Sequence, residues 1–272
     1  MDTPGVDTAF IGSVPERYQR FFVPLIFEPY AVDLARRAAQ RRPSRVLELA
    51  AGTGVVTRHL ADMLPSIVPI VATDLSQAML DQAAAEGIAR HVEWRQADAM
   101  DLPFPDASFD LVLCQFGVMF FPDRAHAYAE ARRVLQPGGV FLFNVWDRIE
   151  ENDFANAVTE TLATVFPDDP PRFMARTPHG YHDLAAVAGD LREGGFTQPA
   201  ETTTFAARSL AKSAERVAVA YCQGSPLRGE IEARAPGRLA DVTDIVTAAL
   251  EDRFGDGAVE GKIQAHIIAV EA

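Results

Sequence analysis

Two carboxylates and two glycines within residues 48–74 have the types and spacing to hold a nucleoside. The stretch E-L-A-A-G-T-G runs from Glu48 to Gly54, and Asp74 follows 20 residues after Gly54. Gly52 and Gly54 allow positive φ and let a ligand approach bare backbone. Amides opening a helix just beyond them would turn their positive dipole end to that ligand. A carboxylate such as Asp74 accepts hydroxyl protons in strong, charge-assisted hydrogen bonds. The elements that must position these groups are legible on either side. Val46, Leu47 and Leu49 form a short apolar run that predicts a buried parallel strand. A helix from about Gly54 to Leu64 follows, so the turn lies at a strand's carboxyl end, where ligands of open parallel sheets bind.

The dinucleotide fingerprint G-x-G-x-x-G fails here in both possible registers. One register meets Ala50 and Val55, and the other meets Thr57 where the third glycine belongs. The pattern that fits is E-x-A-x-G-x-G, and it resembles the first motif of the class I S-adenosylmethionine-dependent methyltransferases, with Ala50 standing where the family usually has glycine. The run L-P-F-P-D-A-S-F-D-L-V, residues 102–112, is similar to the type 11 methyltransferases related to ubiquinone and menaquinone biosynthesis. The phrase F-I-G-S-V-P-E-R-Y, residues 10–18, looks like the leader of small-molecule members.

That resemblance implies S-adenosyl-L-methionine as cofactor and assigns residues to it. Glu48, Ala50, Gly52, Thr53 and Gly54 belong to the turn, Asp74 takes the ribose, and Leu75 is a further cofactor-binding residue. Met79 lies against the adenine, while Asp98, Ala99 and Met100 read its edge. Gln115 and Phe116, at the tip of the fourth strand, flank the methionine part, where an aromatic ring gains cation–π attraction to a sulfonium. Tyr18 closes over the cofactor. Asp110 is expected to be structural.

Displacement at an activated sulfonium needs proximity, orientation and exclusion of water. A base is needed only where the acceptor must lose a proton. His179, Tyr181 and His182 are the candidates by location, though surface or core duty is the commoner lot of such histidines. No GxSxG elbow, H-E-x-x-H helix or Cys/His cluster signals nucleophilic or metal catalysis, so no metal is expected. The [D/N]-P-P-[Y/F] motif of amino-directed nucleic-acid methyltransferases is also missing.

Composition narrows the partners. Of the 272 residues 48% are hydrophobic, enough for a substantial core, while a net charge of −13 argues against nucleic acid. Cys114 and Cys222 stand far apart and predict two reduced core thiols. The N-terminus lacks an apolar signal core and no run is long enough to cross a membrane, so a cytoplasmic protein without membrane contact is expected.

Strand and helix signals alternate from Arg45 to Trp146, and predict strands at 46–49, 68–73, 91–95, 109–114 and 140–146. Beyond Trp146 the rhythm breaks into a helix and four prolines, then a helix over 181–193, a strand over 196–206, two or three helices and a last strand over 262–270. The expected architecture is α/β: a doubly wound, Rossmann-like, mostly parallel seven-stranded sheet with an antiparallel last strand and a helical cap. Its expected parts are a helical leader or lid over 1–43, a methyltransferase domain over 44–206 plus 261–272 with a lid insertion at 147–180, and a cap over 207–260. Packing explains most of the leader's aromatics, but Tyr18, Phe22 and Tyr30 could also wall an acceptor pocket. The expected function is methyl transfer to a small-molecule acceptor. A nicotinamide oxidoreductase and a non-catalytic cofactor binder are the alternatives.

Overall fold

The computed structural model describes residues 14–272. Residues 1–13, which include the first four of the 10–18 phrase and the start of the expected leader, lie outside the described residues. Seven strands form one sheet in the order β3-β2-β1-β4-β5-β7-β6. They are β1 Val46–Leu49, β2 Ile70–Asp74, β3 Glu93–Gln96, β4 Phe109–Gln115, β5 Leu135–Trp146, β6 Glu201–Ala211 and β7 Val259–Glu271. Strands β1 to β5 pair in parallel, with Glu48 opposite Ala72 and Leu113, and Gln115 opposite Asn144. β7 runs against β5, as the amides of Asp147 and Ala272 show by donating to Gln264 and Gly139. The mostly parallel, doubly wound sheet with an antiparallel last strand is therefore observed.

Eight of the eleven residues in β1 and β4 are apolar because both faces of these central strands are covered. The reversal of strand order between β1 and β4 puts a crevice at their carboxyl ends. Helices α1 Val14–Arg17, α2 Glu28–Gln40, α3 Val55–Met63, α4 Gln77–Glu86 and α5 Arg124–Val134 follow in chain order. Next come α6 Asp153–Val165, α7 Phe173–Arg176, α8 Leu184–Glu193, α9 Ala214–Gln223, α10 Leu227–Arg234 and α11 Leu239–Phe254. Between α1 and α2 a π-helical stretch, Tyr18–Phe27, carries Pro24 in its interior. A proline there has no amide to donate, which suits the wider helix.

The chain divides into two compact units. One holds residues 28–145, 181–205 and 266–272. In it α2 packs on α3 and α5 packs on α8. Asp110 accepts the amides of Ser44 and Arg45 at 2.6 and 2.9 Å, the structural duty expected of it. Burial would raise its pKa, but those amides outweigh burial and hold it below the usual value.

The other unit holds residues up to Phe27, 146–180 and 206–265. Here Tyr18, Phe22 and Phe27 cluster, and Phe22 meets the Tyr221 ring edge-on at 5.0 Å. α11 packs on α6 and α9. The Pro-rich segment is pinned by buried Glu230, which accepts from the Arg172 and Phe173 amides at 2.7 and 3.2 Å and from the Arg176 guanidinium at 2.8 Å.

Strand β6 begins later than expected from the alternation over 196–206. Gly195 at φ 89°, with the Phe196 amide donating to Leu191, makes those residues a helix exit instead.

Candidate functional site

The site is built on three strand ends of the first unit. β1 ends in Leu49, and the chain turns through Ala50 at φ 50°, Gly52 at φ 57° and Gly54 at φ 77°. Two of these are glycines because an L side chain at such φ is strained. Gly54 has a second reason, since a Cβ there would lie 2.7 Å from the Trp94 ring of β3. The Ala51 amide donates to Thr73 O at 2.9 Å and the Ala97 amide to Asp74 O at 3.1 Å, which knits the ends of β1, β2 and β3 together.

Asp74 is the hub. Its Oδ2 accepts the Gly52 amide and its Oδ1 the Ser76 amide, each at 2.8 Å. Ser76 is the N-cap of α4 but makes no side-chain capping bond. Each carboxylate oxygen keeps a further lone pair for a ligand hydroxyl. Burial raises the Asp74 pKa, and the two amides act in the other direction.

Glu48, in β1, is tied to α3. Its carboxyl is 1% exposed and accepts the Thr57 hydroxyl at 2.6 Å. Burial pushes its pKa up to about 8, against the Thr57 hydrogen bond.

The remaining candidates line the same strand ends. Met79 is buried, with its Cε 3.8 Å from where a Cβ on Gly52 would be. Asp98 Oδ1 accepts the Met100 amide at 2.9 Å, with Ala99 between them. Leu75 is 58% exposed, a large apolar side chain open beside Asp74. Phe116 has φ 50° and donates its amide to Asn144 Oδ1 at 2.9 Å.

The base candidates are placed differently. Tyr181 donates to Asp190 at 2.6 Å and meets the Tyr128 hydroxyl at 3.3 Å, under the Arg124 guanidinium. Burial and the Asp190 bond raise its pKa, so at neutral pH its hydroxyl is a donor. His182, also in this unit, is exposed. His179 and Tyr18 belong to the other unit, where His179 Nδ1 lies 2.8 Å from Asp147 O.

Three contributors escaped the sequence reading: Trp94 over Gly54, Gly117 beside Ala50, and Asn144. The last had a signal, since it is the one polar residue in the buried run F-L-F-N-V-W.

The methyltransferase-domain family matches residues 47–143. The ubiquinone/menaquinone biosynthesis C-methyltransferase UbiE of Teredinibacter turnerae is 30% identical over 186 residues, covering 64% of this chain and 74% of that protein. The chain belongs to the S-adenosylmethionine-dependent methyltransferases. Another relative, the demethylmenaquinone methyltransferase of Deinococcus radiodurans, is 42% identical over 107 residues, covering 39% of this chain and 44% of its own length. In fold, the chain resembles the Haemonchus contortus phosphoethanolamine N-methyltransferase 2 solved with S-adenosylhomocysteine. The TM-score is 0.61 at 17% identity, covering 100% of this chain and 61% of that one.

The protein is accordingly a methyltransferase enzyme whose cofactor is S-adenosylmethionine, and the nicotinamide alternative falls away. The turn fits such a group. Thr53 Oγ1 is buried and finds no hydrogen-bond partner among the described residues, between two glycines that leave backbone bare. When bound, the cofactor supplies an electrophilic methyl on a sulfonium. The chain's own part is to bind, orient and exclude water. Among the described residues no group of His, Cys, Asp and Glu could hold a metal, and no helix is long and apolar enough to cross a membrane.

Proposed function

We propose that this methyltransferase acts on a small-molecule acceptor, with Asp74 taking the cofactor's ribose hydroxyls and the turn from Ala50 to Gly54 carrying its backbone-facing edge. The observation that supports the cofactor assignment is the pair of 2.8 Å bonds from Gly52 and Ser76 to Asp74, which fix one carboxylate beside the glycine turn. Asp98 to Met100 would then serve the adenine, and Gln115 with Phe116 the sulfonium end.

Support for a small acceptor comes from the relatives. The Teredinibacter turnerae protein is named as a C-methyltransferase of ubiquinone and menaquinone biosynthesis, so a quinol carbon is the first acceptor to try. The tip of β4 reads C-Q-F-G rather than [D/N]-P-P-[Y/F], which weighs against an exocyclic base amine. The test is product formation by mass spectrometry with labelled S-adenosylmethionine against quinols, phenols, amines and, as a control, RNA. Labelled RNA with unlabelled small molecules would overturn the acceptor class.

A further inference from the structure

Phe116 is held in an unfavourable backbone conformation by an unusual set of contacts. A phenylalanine at φ 50° is costly, and such residues persist only where the surroundings over-determine them. Its amide donates to buried Asn144 Oδ1 at 2.9 Å. Its ring meets Tyr30 edge-on at 5.2 Å, and Tyr30 is itself fixed by donating to Phe205 O at 3.2 Å. Next in the chain, Gly117 leaves no room for a side chain, since a Cβ there would lie 2.5 Å from Ala50 Cβ and 2.7 Å from Cys114 Sγ.

Asn144 is 0% exposed, and its Nδ2 has no hydrogen-bond partner among the described residues. The Phe116 amide settles which end of the side chain is the oxygen. A buried, half-satisfied amide costs stability that an apolar residue would not. Packing alone therefore gives no reason for asparagine in an otherwise apolar strand. The register does, because Asn144 pairs with Gln115 and so stands beside the start of the Phe116 turn.

Strand order says what that turn faces. Asp74 and Asp98 end β2 and follow β3, on one side of β1, while Phe116 follows β4 on the other. A cofactor whose ribose lies on Asp74 has its adenosine on the β2–β3 side, and its sulfonium end extends toward β4. We propose that Asn144 is a positioning residue for methyl transfer: it locks Phe116 in the left-handed conformation that turns the ring to the sulfonium. This rests on the cofactor placement proposed above.

The readout is charge-specific. S-adenosylhomocysteine lacks the sulfonium charge, so a ring that faces it favours S-adenosylmethionine over the product, while general damage weakens both ligands alike. Calorimetric titration of the full chain with each ligand gives the ratio of affinities. Phe116→Leu lowers that ratio about fivefold, the size of a partly desolvated cation–π contact. Asn144→Ala lowers it by the same factor, and the double variant lowers it no further. If Asn144→Ala does not fold, Asn144→Ser, too short to reach that amide, shows the same loss. A wild-type ratio in Asn144→Ala or Asn144→Ser overturns the proposal, as do losses that multiply in the double variant. Wild-type protein that binds neither ligand overturns the cofactor placement and this proposal together. Wild-type binding with an unmoved ratio overturns this proposal alone.

Discussion

Ala50 and Gly117 press against each other across the ends of β1 and β4, so closely that a Cβ on Gly117 would lie 2.5 Å from Ala50 Cβ. Ala50 itself sits at φ 50° where the family usually has glycine. The methyl group that this chain keeps at position 50 thus takes up space that the glycine at 117 leaves open. Ala50→Gly should keep S-adenosylhomocysteine binding and change stability by no more than about 1 kcal/mol, because relief of backbone strain offsets added unfolded-state freedom. Gly117→Ala should cost about 1–3 kcal/mol by overpacking. The double variant should recover part of that loss, since one of two close contacts is gone and Cys114 Sγ remains. Urea unfolding of the three variants measures this, and no recovery in the double would mean that the two positions are not coupled.

Asp74→Ala should weaken S-adenosylhomocysteine about tenfold or more, since roughly 1.4 kcal/mol is tenfold and two charge-assisted bonds are lost. It should also lower stability by about 1–3 kcal/mol, because the Gly52 and Ser76 amides lose their acceptor. Calorimetry and urea unfolding read the two effects separately. Unchanged affinity would take Asp74 out of the site.

Glu48 makes a pH prediction with a definite sign. Its carboxyl is raised by burial to about 8 in the fold, from an ordinary 4.5. Between those values the unfolded chain releases the proton and the folded chain keeps it, so this group's contribution falls as pH rises. Glu48→Gln removes that dependence while keeping an acceptor for the Thr57 hydroxyl. The stability of Glu48→Gln relative to wild type should therefore grow by a few kcal/mol between about pH 5 and pH 8. A difference that does not change with pH would show that Glu48 is ionised in the fold.

Gly52 and Gly54 should respond differently to alanine. A Cβ on Gly52 has room, with Met79 Cε at 3.8 Å, so Gly52→Ala meets only the backbone penalty of about 1–2 kcal/mol. Gly54→Ala adds contacts of 2.7 Å with Trp94 and 3.2 Å with Ala83 Cβ, and should be the more destabilising. Gly52→Val should abolish cofactor binding, since a branched Cβ resists the turn. Equal losses for the two alanine variants would argue against the Trp94 contact.

The fold was largely legible because its signals are local: apolar runs of strand length, helix-period stretches and glycine turns between them. The helix after Gly54, observed over Val55–Met63, and the strand over 109–114, observed over Phe109–Gln115, were both readable in this way. The start of β6 was not, since alternation over 196–206 cannot show that Gly194-Gly195 and Pro199 delay the strand to Glu201. The turn's own residues were legible by motif. The partners that hold them were not, because Trp94, Gly117 and Asn144 come to the site through strand pairing, between positions far apart in the chain. A solitary asparagine in an apolar strand was the one trace they left. For Glu48 the spacing marked the residue, but only the structure shows that its carboxyl accepts the Thr57 hydroxyl.

The central claim is that the turn between Glu48 and Asp74 holds an S-adenosyl cofactor. Isothermal titration of the wild-type chain with S-adenosylhomocysteine, and with NADH in parallel, tests it most directly. One saturable site for S-adenosylhomocysteine is expected, weakened about tenfold or more by Asp74→Ala, with no heat from NADH. No binding of S-adenosylhomocysteine, or binding that Asp74→Ala leaves unchanged, would contradict it.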